Sequence, residues 1–231
     1  MRIVVALGGN ALLGDGAGSS AEAGRHEIEL AARGLAALAA EHRLIVTHGN
    51  GPEVGHLLEL ALRNALPGQE VVTLHTAVVV AGDDPAPRAI VELRSLRRLI
   101  DADALVLCAE GGGVPVAVDH SGAMRGVEAA VDKDLTAALL ARRLDADLLM
   151  MLTDVRAVQL DWGEASEVEL SAATPAELRQ HDFEAGSMGT EVEAACRFVE
   201  TTGRRAAIGS LADAVAMARG EAGTQVAPPS P

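Results

Sequence analysis

One side-chain primary amine stands alone in this chain. Of its nineteen basic side chains, eighteen are arginine and the single lysine is Lys133, in Val131-Asp132-Lys133-Asp134. An ammonium is a compact point charge on a flexible stem, whereas guanidinium is a broad planar fork, so a site that needs the first cannot use the second. Codon bias with one lysine left over explains the count equally well until its surroundings are considered. Three glycine loops bear on that question: Gly8-Gly9-Asn10, Gly49-Asn50-Gly51 and Gly111-Gly112-Gly113. Glycine lets backbone amides approach a phosphate closely, and each charge-assisted hydrogen bond is worth ~1.5 to 3 kcal/mol, so two loops can hold a phosphoryl group with few cations. A glycine after a strand is more often only a tight turn, and the weight rests on there being three. Neither Gly-x-x-x-x-Gly-Lys-Ser/Thr nor Gly-x-Gly-x-x-Gly occurs, which counts against P-loop and dinucleotide folds.

Such loops need a scaffold, and the apolar pattern predicts an α/β one. Arg2 to Leu7 reads as a buried strand, and Ala21 to Glu41 as a helix with Ile28, Ala31, Leu35 and Leu38 on one face. Leu44 to Thr47 is a second strand, stopping at His48-Gly49-Asn50-Gly51-Pro52, with Pro52 in the first turn of a helix that runs to about Ala65. Val71 to Ala81 is strand-like, Gly82 to Pro87 a loop, and Arg88 to Leu99 a helix ending near Asp101. Ala104 to Ala109 is a strand leading into Glu110-Gly111-Gly112-Gly113. A helix over Val127 to Arg143 follows, then a strand over Leu148 to Thr153 and an adjoining one over Val155 to Leu160. Thr174-Pro175 opens a helix, Ala185 to Gly189 forms a loop, and the next helix turns Val192, Ala195, Cys196 and Val199 inward. A strand at Ala206 to Ile208, a helix at Leu211 to Ala218 and a strand at Thr224 to Val226 close the chain, before a tail expected to fray. Folds of this kind place ligands at the carboxyl ends of the strands.

Composition narrows the function classes. The chain has 231 residues, 49% hydrophobic and 23% charged, which suits one large domain with a core and no internal repeat. No apolar run reaches the ~18 to 20 residues of a membrane span. Met1 to Leu7 runs into Gly8 without a small-residue cleavage site and reads as a strand, so the expected location is cytoplasmic. A net charge of -14 and three aromatic residues, Trp162, Phe183 and Phe198, argue against general nucleic-acid binding. Cys108 and Cys196 lie in apolar segments without metal-ligand spacing and read as reduced core thiols, and no protein metal site is expected.

Taken together, the motifs are familiar. Val5-Ala6-Leu7-Gly8-Gly9-Asn10-Ala11, His48-Gly49-Asn50-Gly51-Pro52-Glu53-Val54-Gly55, Gly111-Gly112-Gly113-Val114-Pro115-Val116 and Gly126 to Asp134 resemble carbamate kinase, within the amino acid kinase superfamily. Gly186-Ser187-Met188 followed by Glu191-Val192-Glu193-Ala194-Ala195 continues the likeness in the same order. The resemblance implies a three-layer αβα sandwich with a mostly parallel central sheet. It also implies reversible phosphoryl transfer between ATP and a small carboxylate-like acceptor, making carbamoyl phosphate and ADP, with Mg²⁺ held mainly by the phosphates. Carried over by position, Gly8, Gly9 and Asn10 would cradle the transferring phosphoryl group, while Gly49, Asn50, Gly51, Gly112 and Gly113 would hold the acceptor. Lys133 would neutralise phosphate charge, and Asp134, with Asp132 beside it, would orient the cationic groups. Thr153, Asp154 and Val155, with Gly186, Ser187 and Met188, would line the nucleotide site. A general base is not demanded, because the acceptor is already an anion, so His48 is read as shaping its loop. Pairing into a homodimer, through a helix and sheet edge near the second motif, is implied as well.

The resemblance has two gaps. Its pattern places a lysine at the start of the helix after Gly-Ser-Met, where this chain has Glu191, and an acidic residue in a helix's first turn also has a purely stabilising reading. The pattern also carries a protruding subdomain, with a further lysine, after the strand at Val71 to Ala81; only Gly82 to Pro87 stands there, and the stretch from Gly55 to Val71 looks shortened. One domain over residues 1–226 is therefore expected, without that subdomain and with 227–231 as a disordered tail. Arg88 and Arg125 are the candidates to replace the absent cations. Two other functions stay open: a kinase of the same fold with a different small acid or phosphate as acceptor, and a catalytically silent nucleotide-binding or anion-binding protein.

Overall fold

The computed structural model describes residues 1–9, 21–49, 51–81, 84–161, 163, 167–183 and 187–229. Asn10, Asn50, Gly82, Trp162 and Gly186 lie outside these residues. The main sheet has eight strands in the order β12 (Ala172–Ala173), β14 (Thr224–Val226), β13 (Arg205–Ser210), β9 (Leu148–Thr153), β1 (Arg2–Leu7), β2 (Arg43–His48), β6 (Leu105–Cys108) and β3 (Val71–Leu74). From β13 to β3 every neighbouring pair is parallel, and β14 runs antiparallel to β13.

Side-chain alternation explains why this sheet is covered twice. In β1, Val4 and Ala6 face one side while Ile3, Val5 and Leu7 face the other, and all five are buried. β9 repeats the division with Leu149 and Met151 against Leu148, Met150 and Leu152. Strands buried on both faces belong between two helical layers. One layer holds α1 (Ala21–Ala39), α2 (Gly51–Ala65) and α7 (Ala214–Arg219), which bury Ile28, Leu35, Leu58 and Met217. The other holds α3 (Leu93–Asp101), α4 (Lys133–Arg143) and α6 (Ser187–Thr202), which bury Leu96, Leu140 and Phe198. The expected αβα sandwich is thus the observed one. Among the described residues, no helix is long and apolar enough to cross a membrane.

A second sheet of four strands, β5 (Asp84–Ile90), β4 (Ala77–Ala81), β7 (Val114–Val118) and β8 (Met124–Gly126), follows β3 and β6. It corrects several expectations. Val71 to Ala81 is two strands in two sheets, parted at His75 and Thr76, because Thr76 O accepts from Val114 N at 2.9 Å and Ala77 N donates to Glu92 Oε2 at 2.8 Å. Of the expected loop at Gly82 to Pro87, residues 84–87 belong to β5, and its two prolines are tolerated because β5 is an edge strand. Arg88 to Ile90 continues that strand, so α3 begins only at Leu93. Residues 127–132 are irregular and α4 begins at Lys133, where Asp132 Oδ1 accepts from Asp134 N and Leu135 N at 2.9 Å each and fixes the helix start. Residues 154–157 bend, and the strand there is only β10 (Val158–Leu160), paired with β11 (Val168–Leu170). The Thr174-Pro175 start is as expected: Thr174 and Glu177 form a reciprocal capping box at the head of α5 (Pro175–Leu178).

Candidate active site

β1 lies between β2, which follows it through α1, and β9, which the chain reaches only after α4, so the strand order reverses at β1 and a crevice opens at its carboxyl end. The three glycine loops leave β1, β2 and β6 at that edge, and Thr153 ends β9 beside them. Gly8 N donates to Leu152 O at 2.7 Å, so this amide is committed to the sheet and the loop's approach is what Gly8 provides. A Cβ on Gly8 would sit 3.1 Å from Leu152 O and 3.8 Å from Glu191 Oε1.

Lys133 opens α4 and reaches across this crevice. Its Cδ lies 3.7 Å from the point where a Cβ on Gly49 would stand, and that point is 4.0 Å from Gly9 Cα. The lone ammonium therefore sits against the first two glycine loops, at a helix N-terminus where backbone N–H groups favour anions. Lys133 Nζ donates to Asp134 Oδ1 at 2.7 Å, and Thr190 Oγ1 donates to Asp134 Oδ2 at 3.4 Å. Burial raises the Asp134 pKa above the usual carboxylate value and Lys133 opposes that shift. Asp132 serves as the N-cap of α4.

Glu191 faces the same crevice from α6. That helix starts at Ser187 and has no acidic residue in its first turn, so the helix-dipole account of Glu191 does not apply. The side chain is buried, its Oε2 has no hydrogen-bond partner, and its pKa is pushed up to about 8, first by burial and then by the Asp134 charge. Thr153 and Asp154 stand beside it, and Thr153 Oγ1 donates to Asp154 Oδ1 at 3.0 Å. A cavity of about 450 Å³ lies next to Thr153 and Asp154, bounded by Ser210 to Ala212 at the end of β13 and by Glu27, Leu30 and Gly34 of α1. Val155 is half-buried and Met188 packs against the core.

The third loop is packed for a different reason. Gly112 has φ +93°, and a Cβ there would lie 2.1 Å from Val131 O; one on Gly113 would lie 2.4 Å from Val78 Cγ2. These glycines bring residues 127–132 and the second sheet close, and Thr136 Oγ1 donates to Gly112 O at 3.0 Å. Between the second and third loops, His48 Nδ1 donates to Gly49 O at 2.7 Å, which supports the loop-shaping reading, while its Nε2 faces Glu110 Oε1 at 3.7 Å. Gly55 must be glycine to clear them, since a Cβ would stand 2.6 Å from His48 Nε2.

The chain matches the family model described as "Amino acid kinase family" over residues 1–82 and 63–210. It is 38% identical to a carbamate kinase of Rhizobium meliloti, covering 97% of this chain and 92% of that one. This chain belongs to the carbamate kinases of the amino acid kinase family. A carbamate kinase of Haemophilus influenzae is 33% identical, with 98% and 96% covered. Among solved structures, carbamate kinase from Giardia lamblia bound to AMP-PNP superposes with a TM-score of 0.91 at 30% identity, covering 99% of this chain and 98% of that one. As a carbamate kinase this chain is short: the Rhizobium meliloti alignment spans 299 positions against 231 residues here, so at least 68 have no counterpart. The two family-model matches overlap at residues 63–82, the stretch that leads up to β5.

Of the residues singled out in the sequence, the structure thus gathers Gly8, Gly9, Gly49, Lys133, Asp134, Thr153 and Asp154 around one crevice, and gives Gly112, Gly113 and Asp132 packing and capping contacts. Gly51, with φ +73°, starts α2. Arg88 does not join the crevice cluster; it pairs with Asp84 at 3.0 Å on β5, and Arg125 is exposed on β8. Sequence reasoning passed over Thr190 and Glu110. Both flank a glycine-containing motif, which was the available signal. Cys108 and Cys196 are buried free thiols with pKa values pushed up to about 12 and about 11 by burial, in keeping with inert core positions.

Proposed function

We propose that this chain is a phosphotransferase that moves the γ-phosphoryl group of ATP to carbamate, forming carbamoyl phosphate and ADP, and runs the reverse as well. The observation that supports it is the placement of the lone lysine against Gly9 and Gly49 at the sheet's carboxyl edge. In that reading a carbamate oxygen, held by the Gly49 loop, bonds to phosphorus as the bond to the ADP oxygen breaks, and no base is needed because the acceptor is already anionic. Lys133 balances charge on the phosphoryl oxygens, and Asp134 fixes the position of its ammonium. The Thr153–Asp154 end of β9 lines the nucleotide side, beside the cavity that would take the nucleoside. Mg²⁺ fits as an ion carried on the nucleotide's phosphates, where it supplies further charge neutralisation; among the described residues no three His, Cys, Asp or Glu side chains group to hold a metal. Pairing into a homodimer belongs to the same reading, and Leu57 and Leu60 on α2 give it exposed apolar surface.

Glu191 favours a second reading, a silent binder of nucleotide or anion, because an acid stands where phosphates would lie. One assay separates them. ADP with carbamoyl phosphate is expected to yield ATP, and acetyl phosphate in its place reports a changed acceptor. Nucleotide binding without ATP formation from either donor would leave the silent binder standing.

A further inference from the structure

Glu191 is the buried side chain of the crevice to which phosphoryl transfer assigns no part. Its exposure is 1%, yet Oε2 meets no partner. The groups facing it are Asp134 and Lys133 from α4, Thr153 and Asp154 at the end of β9, and the Gly8 backbone at the end of β1. Two of these are acids, and the one ammonium is already bonded to Asp134. The Thr153 hydroxyl has one proton, which it donates to Asp154 at 3.0 Å; such help as it and Lys133 give a Glu191 carboxylate is outweighed by burial and the Asp134 charge. An anion in these surroundings is desolvated, repelled by Asp134 and Asp154 and left with Oε2 unpartnered, whereas a carboxylic acid has a proton to give from that oxygen.

We propose that Glu191 works as a neutral carboxylic acid, donating a hydrogen bond from its unpartnered oxygen to an oxygen of the bound nucleotide's phosphates beside the Gly8-Gly9 loop. The inference rests on the phosphotransfer reading of this crevice. The pKa of about 8 keeps the acid form dominant at neutral pH, and phosphate charge brought beside it holds the proton more tightly still. Above that range a carboxylate confronts the phosphates, with Lys133 as the one cation among the facing groups to offset it.

Calorimetric titration with a non-hydrolysable ATP analogue tests this, over a pH range of about 6 to 9.5, with Mg²⁺ and with chelator, on the full chain and on Glu191→Gln. The amide keeps the shape and a donor but cannot ionise, and it controls for the nucleotide's own titration. Expected for the native chain is a dissociation constant that rises up to about tenfold per pH unit once Glu191 ionises, and for Glu191→Gln a profile without that break. The infrared carbonyl band of a protonated acid should be present at neutral pH in the native chain, fade as pH rises and be missing from Glu191→Gln. A variant that keeps the native pH profile overturns the donor role and leaves phosphotransfer standing. So does a variant that loses affinity only in the presence of Mg²⁺, which would make the carboxylate a metal ligand. Absence of nucleotide binding at every pH overturns the phosphotransfer reading and the donor role together.

Discussion

The α4 side and the α6 side of the crevice hold equally buried carboxyl groups in opposite conditions. Asp134 is 2% exposed and accepts from both Lys133 and Thr190; Glu191 is 1% exposed and keeps an oxygen without a partner. The first is a finished arrangement, in which a carboxylate holds an ammonium in place before any ligand arrives. The second is unfinished in the free protein. Since an unsatisfied buried polar atom costs ~1 to 3 kcal/mol, the α6 side is where a ligand has the most to supply.

The comparison can be broken most severely at Lys133. Lys133→Ala should lower turnover by ~10² to 10³ or more, measured as ATP formation, because it removes a preorganised charge and leaves Asp134 with Thr190 but without a counter-charge. Lys133→Arg should recover only part of that, since a planar fork does not replace a point charge. Equal rates for all three proteins would remove the α4 side from the mechanism.

The next effect is structural. Gly112→Ala should cost about 3 kcal/mol or more in denaturant midpoint analysis, because the new Cβ meets Val131 O at 2.1 Å and φ is +93°. Gly111→Ala, at φ +59° with open space around it, should cost about 1 kcal/mol. A reversed order would contradict the packing described for the third loop.

Glu191→Gln sharpens the contrast through stability. The carboxyl ionises near 4.5 in the unfolded chain and near 8 in the folded one. Below the first value both states are neutral and the group is without effect; between the two values folding must keep a proton that the unfolded chain releases, so stability falls as pH rises. Removing the acid should therefore stabilise by up to a few kcal/mol at about pH 8 and by much less near pH 5, read as the shift in unfolding midpoint. The smallest expected effect lies away from the crevice: Thr174→Ala breaks the capping box of α5 and should cost ~1 kcal/mol while leaving ATP formation unchanged.

How much of this was legible depended on whether a residue's surroundings are local. β1, β2 and β9 lie close to their expected bounds because strands covered on both faces read as continuous apolar runs. The start of α4 was misplaced because Val127, Ala130 and Val131 mimic a helical face, although Asp132 three residues before Leu135 carried the cap signal. The parting of β3 from β4 depends on hydrogen bonds to Val114 and Glu92, which no window around His75 contains. The glycine loops and Lys133 could be singled out by type, and their convergence needed the fold. Only the first-turn reading of Glu191 fails, and for the same reason: its burial is set by β1, β9 and α4, all distant in sequence.

A crystal structure with ADP and Mg²⁺ tests the central claim most directly. The account predicts the β-phosphate beside the Gly8-Gly9 loop, with Lys133 Nζ within about 3 Å of a phosphate oxygen. Phosphates bound elsewhere on the sheet's edge, or an ammonium turned to solvent while nucleotide is present, would contradict it.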